Sequence, residues 1–127
     1  MYPSTDMRCT TGSHRANGAG YLLTRESIAY YQRNYTGETH GVDDWRASPL
    51  LASDHSRLPP AFVLTAGFDP LRDEGRMYAD RLSAAGTPAQ YVCFERQIHG
   101  FITMGRMIDE ATTAVEVCAC VLRRALG

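Results

Sequence analysis

The sequence predicts an α/β fold class, in which helices pack against a parallel β-sheet. Two short β-prone segments, residues 60–67 and 89–94, lie on either side of a segment with helical periodicity. Parallel strands need a crossover of a dozen or more residues, and about 35 residues hold all three elements here. The pattern therefore predicts a βαβ unit, whose crossover we expect to be right-handed. A long helical pattern follows at the C-terminus.

The chain begins with a segment that combines loop and helix. One helix is expected to begin after Thr24, whose hydroxyl can cap the first turn, and to end by Gly37. The apolar face of this helix comprises Ile28, Tyr31 and Tyr35. Residues 37–60, in which Gly, Pro, Ser and Asp are scattered, predict an irregular connection to the sheet.

The first strand, Pro60–Gly67, is a near-continuous apolar run, which is typical of a strand buried on both faces of a parallel sheet. The helix that follows has clear limits. Asp69 can cap its start and Pro70 suits its first turn, whereas Gly86 ends it. Its apolar face comprises Tyr78, Ala79, Leu82 and Ala85. Gly75, inside this helix, predicts close packing against a neighbouring element.

The second strand is the β-prone segment Ala89–Phe94. Beyond it, apolar residues recur at steps of three and four, which predicts a long amphipathic helix with one buried stripe. The stripe comprises Met104, Met107, Ile108, Ala111, Ala114, Val115, Cys118, Val121, Leu122 and Ala125. We expect Met104 and Met107 to lie in the core, because helical methionine stripes usually do.

The composition is that of a soluble globular chain. Of 127 residues, 44% are apolar and 21% are charged, and the net charge is −1. No apolar run approaches the roughly 20 residues that a membrane span requires. The 13 basic and 14 acidic residues nearly cancel and form no basic cluster, which disfavours nucleic acid as a partner.

The N-terminus and the cysteines bear on the cellular compartment. Residues 1–10 have neither a positively charged leader nor an apolar stretch, so the sequence shows no signal peptide and we expect a cytoplasmic protein. The four cysteines are Cys9, Cys93, Cys118 and Cys120, and they lack Cys-x-x-Cys spacing. We expect free thiols, with no disulfide framework, no metal and no cofactor.

Two side chains that can carry chemistry follow the predicted strands. Asp69 comes after the first strand and His99 after the second, and functional groups of parallel sheets gather beyond the carboxyl ends of the strands. An Asp held against Nδ1–H of a His fixes the tautomer and leaves Nε2 free to act as a general base on a serine. The pair therefore predicts two members of a Ser-His-Asp triad, although one crossover produces this spacing in any α/β protein.

Each of these residues also has a purely structural interpretation. Asp69 suits a helix start in any case, and a loop histidine such as His99 is more often ordinary than catalytic. Asp73 and Glu74 are competing acids, which we interpret as favourable charges near the positive end of the helix. Three other histidines lie in polar surroundings without a motif and are expected to be solvated: His14, His40 and His55.

Several short strings of residues make the pair more specific. In chain order they are YP..D at Tyr2, Pro3 and Asp6, GYLLT at 20–24, SPL at 48–50, LPPAFVLTAG at 58–67, DPLRDEG at 69–75 and HGF at 99–101. Together they resemble the hormone-sensitive-lipase-like family of α/β-hydrolase esterases, and the resemblance extends along nearly the whole chain. DPLRDEG followed at this distance by HGF is specific to that family, whereas GYLLT or SPL alone is a weak signal.

The resemblance implies an α/β-hydrolase fold that hydrolyses small-molecule carboxylic esters, with Asp69 as the triad acid and His99 as its histidine. Family members also have an HGGG-type oxyanion loop and a Gly-x-Ser-x-Gly nucleophile elbow, and this sequence contains neither. The serines are Ser4, Ser13, Ser27, Ser48, Ser53, Ser56 and Ser83. Ser13 comes closest to the elbow pattern but lacks the second glycine, so we assign no nucleophile in this chain. The aromatic residues Tyr30, Tyr31 and Tyr35 could line an acyl pocket in that fold, although we expect them to pack.

By this resemblance, Tyr2 and Pro3 match a segment just after the family's sixth strand. We therefore expect residues 1–127 to form the C-terminal part of an α/β-hydrolase domain, with its last two strands. The alternative is a catalytically inactive truncated remnant, or an interaction module that needs a partner to fold, whose exposed sheet edge would favour self-association. A peptidase branch of the same fold shares the Asp-to-His spacing but is not expected to contain DPLRDEG.

Overall fold

Two parallel strands joined by a helix form the centre of the chain in the computed structural model, which describes residues 1–36 and 41–127. In chain order, the elements are α1 (Gly12–Asn17), α2 (Arg25–Thr36), β1 (Ala61–Phe68), α3 (Arg72–Ala84), β2 (Ala89–Ile98) and α4 (Asp109–Leu126). Short 3₁₀ helices lie at Pro49–Leu51 and Phe101–Thr103. The predicted α/β class and the strand–helix–strand order of the unit are confirmed.

The pairing of β1 with β2 contains one irregularity. The partners begin with Ala61 opposite Ala89, and the register shifts around Gly67. At that point the backbone of Glu95 comes so close that a Cβ on Gly67 would lie 1.9 Å from its carbonyl oxygen. Atoms of a real side chain never approach backbone to this distance, so the position requires glycine.

The second strand is longer than the sequence predicts. It ends at Ile98 and not at Phe94, because Ile98 pairs with Phe68 of β1 beyond the register shift. The exposed polar residues Glu95 and Arg96 interrupt the apolar pattern there, although the backbone remains extended. Strand pairing therefore continues where the side-chain pattern stops.

Helices cover both faces of this small sheet. On one face, a Cβ on Gly75 of α3 would lie 2.8 Å from Cγ2 of Thr65, which confirms the predicted close packing at this glycine. Neighbouring residues of a strand alternate between faces, so Leu64 and Ala66 point to the opposite side. The buried cluster on that side comprises Leu64, Ala66, Phe101, Ala111 and Ala114. The centre of β1, from Val63 to Gly67, is buried as predicted.

The end of α3 follows the predicted signal, but the helix begins at Arg72, so the predicted places of Asp69 as its cap and of Pro70 in its first turn are wrong. Leu71 occupies the N-cap position, and its N–H donates to Oδ1 of Asp69 at 2.8 Å. At the other end, Gly86 has φ +82°. The N–H groups of Gly86 and Thr87 donate back to carbonyls of the last turn, which is the Schellman pattern of a glycine-terminated helix.

The C-terminal helix α4 begins at Asp109, five residues later than the first residue of the predicted stripe. Ile108, which precedes it, has an extended backbone with φ −128° and ψ 109°. Met107 therefore lies in a turn before the helix and is 81% exposed, so its predicted place in the core is wrong. Farther along the stripe, Val115 and Leu122 are also exposed, and burial is confined to one narrow face.

In the N-terminal part, the observed helix α2 agrees with the sequence-based prediction, whereas other features differ from it. Oγ1 of Thr24 accepts the N–H of Ser27 at 3.2 Å, which is the expected cap. Ile28 is buried, but the three tyrosines of this helix are exposed, so their expected packing is wrong: Tyr30, Tyr31 and Tyr35. The short helix α1 and the 3₁₀ turn at Pro49–Leu51 have no counterpart in the predicted elements.

Two histidines that were expected to be solvated are buried, which corrects that prediction. His14 and His55 are each 4% exposed. Nε2 of His14 lies 2.6 Å from Oε2 of Glu74, and Nε2 of His55 lies 3.0 Å from the carbonyl of Pro49. These partners satisfy the hydrogen-bonding groups of the buried rings. The contact between His14 and Glu74 spans 60 positions, so no pattern of neighbouring residues predicts it. His40 lies outside the described residues.

Three further predictions concern side chains and membrane spans. All four cysteines are free, as expected. Ser13 is fully buried, and its hydroxyl donates to the carbonyl of Pro70 at 2.6 Å, so its side chain has a structural role at the start of the segment that leads into α3. Within residues 1–36 and 41–127, no helix is both long enough and apolar enough to cross a bilayer.

Candidate active site

Asp69 and His99 meet beyond the carboxyl end of the two-stranded sheet. Each residue directly follows a strand, Asp69 after β1 and His99 after β2. Nδ1 of His99 lies 2.8 Å from Oδ2 of Asp69. Because the strands are parallel neighbours, their carboxyl ends point the same way and bring together side chains that are 30 positions apart. The structure thus joins the two residues that the sequence selects.

The Asp69 carboxylate is fully buried, and both of its oxygens are engaged. Oδ1 accepts the Leu71 N–H and Oδ2 faces His99. The backbone carbonyl of Asp69 also accepts a hydrogen bond from Nδ2 of Asn17 at 3.3 Å. Contacts on three sides hold this acid in one position, so one side chain supports the turn before α3 and makes the candidate catalytic contact.

The two competing acids point elsewhere. Oδ2 of Asp73 accepts the N–H of Ser13 at 2.8 Å. Glu74 is fully buried and faces His14, which corrects its interpretation as a charge that merely favours the helix end. Among the described hydrogen bonds, Asp69 alone provides a carboxylate to His99.

The loop that carries His99 is fixed by the residues after it. Gly100 has φ +80°, a left-handed conformation that glycine adopts without strain. Phe101 follows, is fully buried, and packs against Phe94 with ring centroids 5.1 Å apart. The side chain of His99 remains 25% exposed, and Nε2 has no hydrogen-bond partner within the described part of the chain. Gly100 therefore provides the turn and the buried Phe101 anchors the loop, and together they position the His99 imidazole.

Tyr2 is a site residue that the sequence offers only as part of a string. Its ring centroid lies 4.9 Å from that of His99, at an interplanar angle of 46°. Its hydroxyl accepts the N–H of Ile102 at 3.0 Å, and its own N–H donates to the carbonyl of Leu64 at 2.7 Å. Burial raises the pKa of the Tyr2 hydroxyl, and the nearby charge of Asp69 adds to the rise. Tyr2 thus joins the N-terminal segment, β1 and the histidine loop.

An apolar cavity of about 280 Å³ opens beside His99. Its lining comprises Ser4, Met7, Leu23, Ile28, Tyr31, Gln32, Tyr35, Leu71 and His99. Tyr31 and Tyr35, which the sequence offers as candidates for an acyl pocket, are thus part of its wall. A larger and more polar cavity of about 470 Å³ lies between α3 and β2 and contains neither Asp69 nor His99. Contact with the imidazole makes the smaller cavity the one relevant to chemistry.

An imidazole that is oriented by a buried carboxylate and lines a cavity is equipped to accept and return a proton through its second nitrogen. Such a pair positions a base for a hydroxyl or water nucleophile. Across residues 1–36 and 41–127, no group of three or more His, Cys, Asp or Glu side chains is arranged to hold a metal ion.

Residues 1–103 match a family described by the alpha/beta hydrolase fold. The chain is 43% identical over 106 residues to the carboxylic ester hydrolase LipN of Mycobacterium tuberculosis. The matched region covers 82% of this chain and 28% of LipN. It is 38% identical over 111 residues to an ethyl acetate hydrolase of Pseudomonas putida, which covers 87% of the chain and 35% of that enzyme.

Among solved structures, the chain is similar to EstE1, a thermophilic and thermostable carboxylesterase cloned from a metagenomic library. The TM-score is 0.93 at 36% sequence identity, and the match covers 99% of this chain and 44% of EstE1. The chain therefore spans about a third of the length of the two curated relatives, at 28% and 35%. It spans less than half of the solved structure.

Proposed function

The chain belongs to the alpha/beta hydrolase fold family, and on that premise we propose that it supplies the acid and the base of a serine carboxylic-ester hydrolase. Asp69 is the acid and His99 is the base. The nucleophilic serine lies outside these 127 residues, because no serine of the chain stands in a Gly-x-Ser-x-Gly frame. The observation that carries the proposal is the 2.8 Å contact between Nδ1 of His99 and the buried carboxylate of Asp69.

The mechanism assigns one task to each atom of the pair. Oδ2 of Asp69 accepts the Nδ1 proton of His99, which leaves Nε2 unprotonated and able to take the proton of a serine hydroxyl. As Nε2 becomes protonated, the buried carboxylate stabilises the imidazolium. The same nitrogen then returns the proton to the leaving alcohol, and later activates the water that hydrolyses the acyl-enzyme.

The substrate class follows from the cavity beside the imidazole. Its wall is dominated by the apolar and aromatic side chains Leu23, Ile28, Tyr31, Tyr35 and Leu71. A cavity of this size accommodates a short acyl or alcohol group and offers it no charged partner. We therefore propose small, uncharged carboxylic esters as substrates, consistent with the named activities of the two curated relatives.

A chimera tests this proposal. The chain replaces the matching segment of EstE1, which keeps its own upstream residues, and hydrolysis of p-nitrophenyl butyrate is measured. The chimera is expected to be active, and His99→Ala is expected to lower kcat about 10⁴-fold or more. Asp80→Asn, which alters an exposed carboxylate of α3, is the matched control and should leave kcat unchanged. A folded chimera whose activity survives His99→Ala would contradict the proposal.

The isolated chain provides a second test. A fluorophosphonate probe that labels activated serines is expected to leave it unlabelled. Ser4 is the serine to watch, because it lines the same cavity as His99. Labelling that disappears in Ser4→Ala would show that the chain carries its own nucleophile, and would contradict our placement of the serine elsewhere.

One observation favours the alternative of a catalytically inactive interaction module. No residue of β2 is fully buried, and in the described chain β2 has β1 as its single strand neighbour. An unpaired strand edge favours pairing with a second copy. Sedimentation of the isolated chain tests this: a concentration-dependent dimer is expected under this alternative, and a monomer up to high concentration would speak against it.

A further inference from the structure

The turn that carries Asp69 is held from outside by the short helix α1. Asn17, the last residue of α1, is 6% exposed, and its Nδ2 lies 3.3 Å from the carbonyl oxygen of Gly67 and 3.3 Å from that of Asp69. A carbonyl oxygen can only accept, so both hydrogens of the amide are used, one for each carbonyl. A serine or threonine hydroxyl has a single hydrogen and could serve only one of them.

These two carbonyls lie where the pairing of the strands is irregular. The register of β1 with β2 shifts around Gly67. The carbonyl of Gly67 accepts Nη1 of Arg72 at 3.2 Å as well as the amide of Asn17. Side chains from two helices, α1 and α3, therefore bind the backbone at the point where β1 ends and the chain turns into Asp69.

The turn also has an internal hydrogen bond, which has a different effect. Oδ1 of Asp69 accepts the N–H of Leu71, two positions later, so this bond sets the direction of the carboxylate relative to its own turn. The bond moves with the turn and does not fix the distance between the turn and the histidine loop. That distance depends on contacts with other parts of the chain, such as the amide of Asn17, which is 52 positions from Asp69.

Helix α1 is itself held in place. The N–H of Ser13 donates to Oδ2 of Asp73 at 2.8 Å, and the Ser13 hydroxyl donates to the carbonyl of Pro70 at 2.6 Å. Nε2 of His14 lies 2.6 Å from Oε2 of the fully buried Glu74. Contacts that do not involve its last residue therefore join α1 to α3 and to the turn before it, so the amide at the end of α1 has a fixed base.

We propose that Asn17 is a positioning residue for ester hydrolysis, which holds the carboxylate of Asp69 against His99. Its amide fixes the backbone of the turn, and the short side chain of Asp69 follows the backbone. A displaced carboxylate would no longer hold the Nδ1 proton of His99 or stabilise the imidazolium. Asn17 lines the polar cavity that does not contain His99, so it acts through Asp69 and not by contact with the ester. The proposal rests on the proposed function, because it acts through the same Asp–His pair.

Substitution in the EstE1 chimera tests the proposal. Asn17→Leu nearly keeps the size and shape of the side chain but removes both donors. Because the position of the acid affects the chemical step and leaves the ester-binding cavity unchanged, kcat for p-nitrophenyl butyrate should fall about 10- to 100-fold, while KM should change less than about twofold.

Thr87→Val is the matched control. The Thr87 hydroxyl is buried and donates to the carbonyl of His55 at 2.7 Å, and the residue lies before β2, at the end of the sheet opposite Asp69. This variant is also nearly isosteric and also removes a buried donor to a backbone carbonyl. Both variants should unfold at lower urea concentration than the parent chimera, and only Asn17→Leu should lose kcat.

Proton NMR of the chimera gives a second readout. The Nδ1 proton of His99, held by the Asp69 carboxylate, gives a signal far downfield of the amide protons. This signal should weaken or move upfield in Asn17→Leu and should stay unchanged in Thr87→Val. Asn17→Ala removes the same donors with a smaller side chain and is measured in parallel, so the result does not depend on the folding of a single variant.

The outcomes are distinct. Unchanged kcat in a folded Asn17→Leu or Asn17→Ala chimera would overturn the proposal. An equal fall of kcat in Thr87→Val would also overturn it, because the loss would then follow from stability alone. Failure of the proposed function is recognised separately, by activity that survives His99→Ala.

Discussion

Asp69 binds His99 through one carboxylate oxygen while its other oxygen holds the start of α3, so a single side chain serves both the candidate site and the fold. Substitution can separate the two tasks. Asp69→Asn keeps an acceptor oxygen for the Leu71 N–H but removes the negative charge beside the imidazole. Asp69→Ala removes both.

We therefore predict that Asp69→Ala destabilises the chain by about 1 kcal/mol more than Asp69→Asn does, measured by urea unfolding. In the EstE1 chimera, both variants should lower kcat by about 10⁴-fold, because even the amide can no longer set the histidine tautomer. Equal stabilities of the two variants would show that Oδ1 does not support the helix start.

Tyr2 offers a second test of how the histidine loop is held. Tyr2→Phe keeps the ring against His99 but leaves the Ile102 N–H without its acceptor, which should cost about 1 kcal/mol in the free energy of unfolding. Tyr2→Ala also removes the ring and should cost about 3 kcal/mol. In the chimera, Tyr2→Phe should retain most of the activity. If both variants unfold alike, the ring contact contributes nothing measurable.

Gly67 tests the irregularity between the strands. Gly67→Ala would place a methyl carbon 1.9 Å from the Glu95 carbonyl oxygen, so the strands must separate locally and we expect a loss of more than about 3 kcal/mol. Gly105→Ala is the control, because the nearest atom to its Cβ is Oγ1 of Thr112 at an ordinary 3.7 Å. The control should change stability by less than about 0.5 kcal/mol. Similar urea midpoints for the two variants would contradict the close approach.

The buried pair of His14 and Glu74 predicts a pH dependence of stability. Burial alone would lower the pKa of His14, but the neighbouring side chains of Cys9 and Glu74 outweigh it and raise the pKa from 6.5 to about 9 on folding. A raised pKa means that the folded state binds the proton more tightly, so the stabilisation is fully present below pH 6.5 and is lost as pH rises through about 9. Urea unfolding at a series of pH values should show this decline for the native chain and for His55→Gln. A decline that persists unchanged in His14→Gln would assign it to another group.

The sequence predicts the parts of the fold that depend on neighbouring residues. Asp69 and His99 can be found because each directly follows a strand, and parallel topology then brings them together. The end of α3 can be found because Gly86 terminates it locally, and its start is found to within two residues because Asp69 bonds the nearby Leu71 N–H. The strings DPLRDEG and HGF indicate the family, and the match of residues 1–103 to the alpha/beta hydrolase fold confirms it.

Contacts between distant residues lie beyond such patterns. Polar residues on a short segment look solvated, and burial of His14 becomes favourable only because Glu74, 60 positions away, supplies its partner. Met107 fits a helical repeat in sequence, yet the extended backbone at Ile108 places it outside the helix. Tyr2 reaches the site through a contact with a residue 100 positions away.

The double role of Asp69 affects how relatives of this chain should be interpreted. A copy that no longer hydrolysed esters would still be selected to fold, and selection for folding retains Asp69 through its bond to the Leu71 N–H. His99 supports the fold less, because its one described side-chain hydrogen bond is to Asp69 and its described ring contact is with Tyr2. During evolutionary drift the histidine should therefore change first. Across a set of homologous sequences, loss of the histidine would mark lost catalysis, whereas an intact aspartate would not by itself indicate an active enzyme.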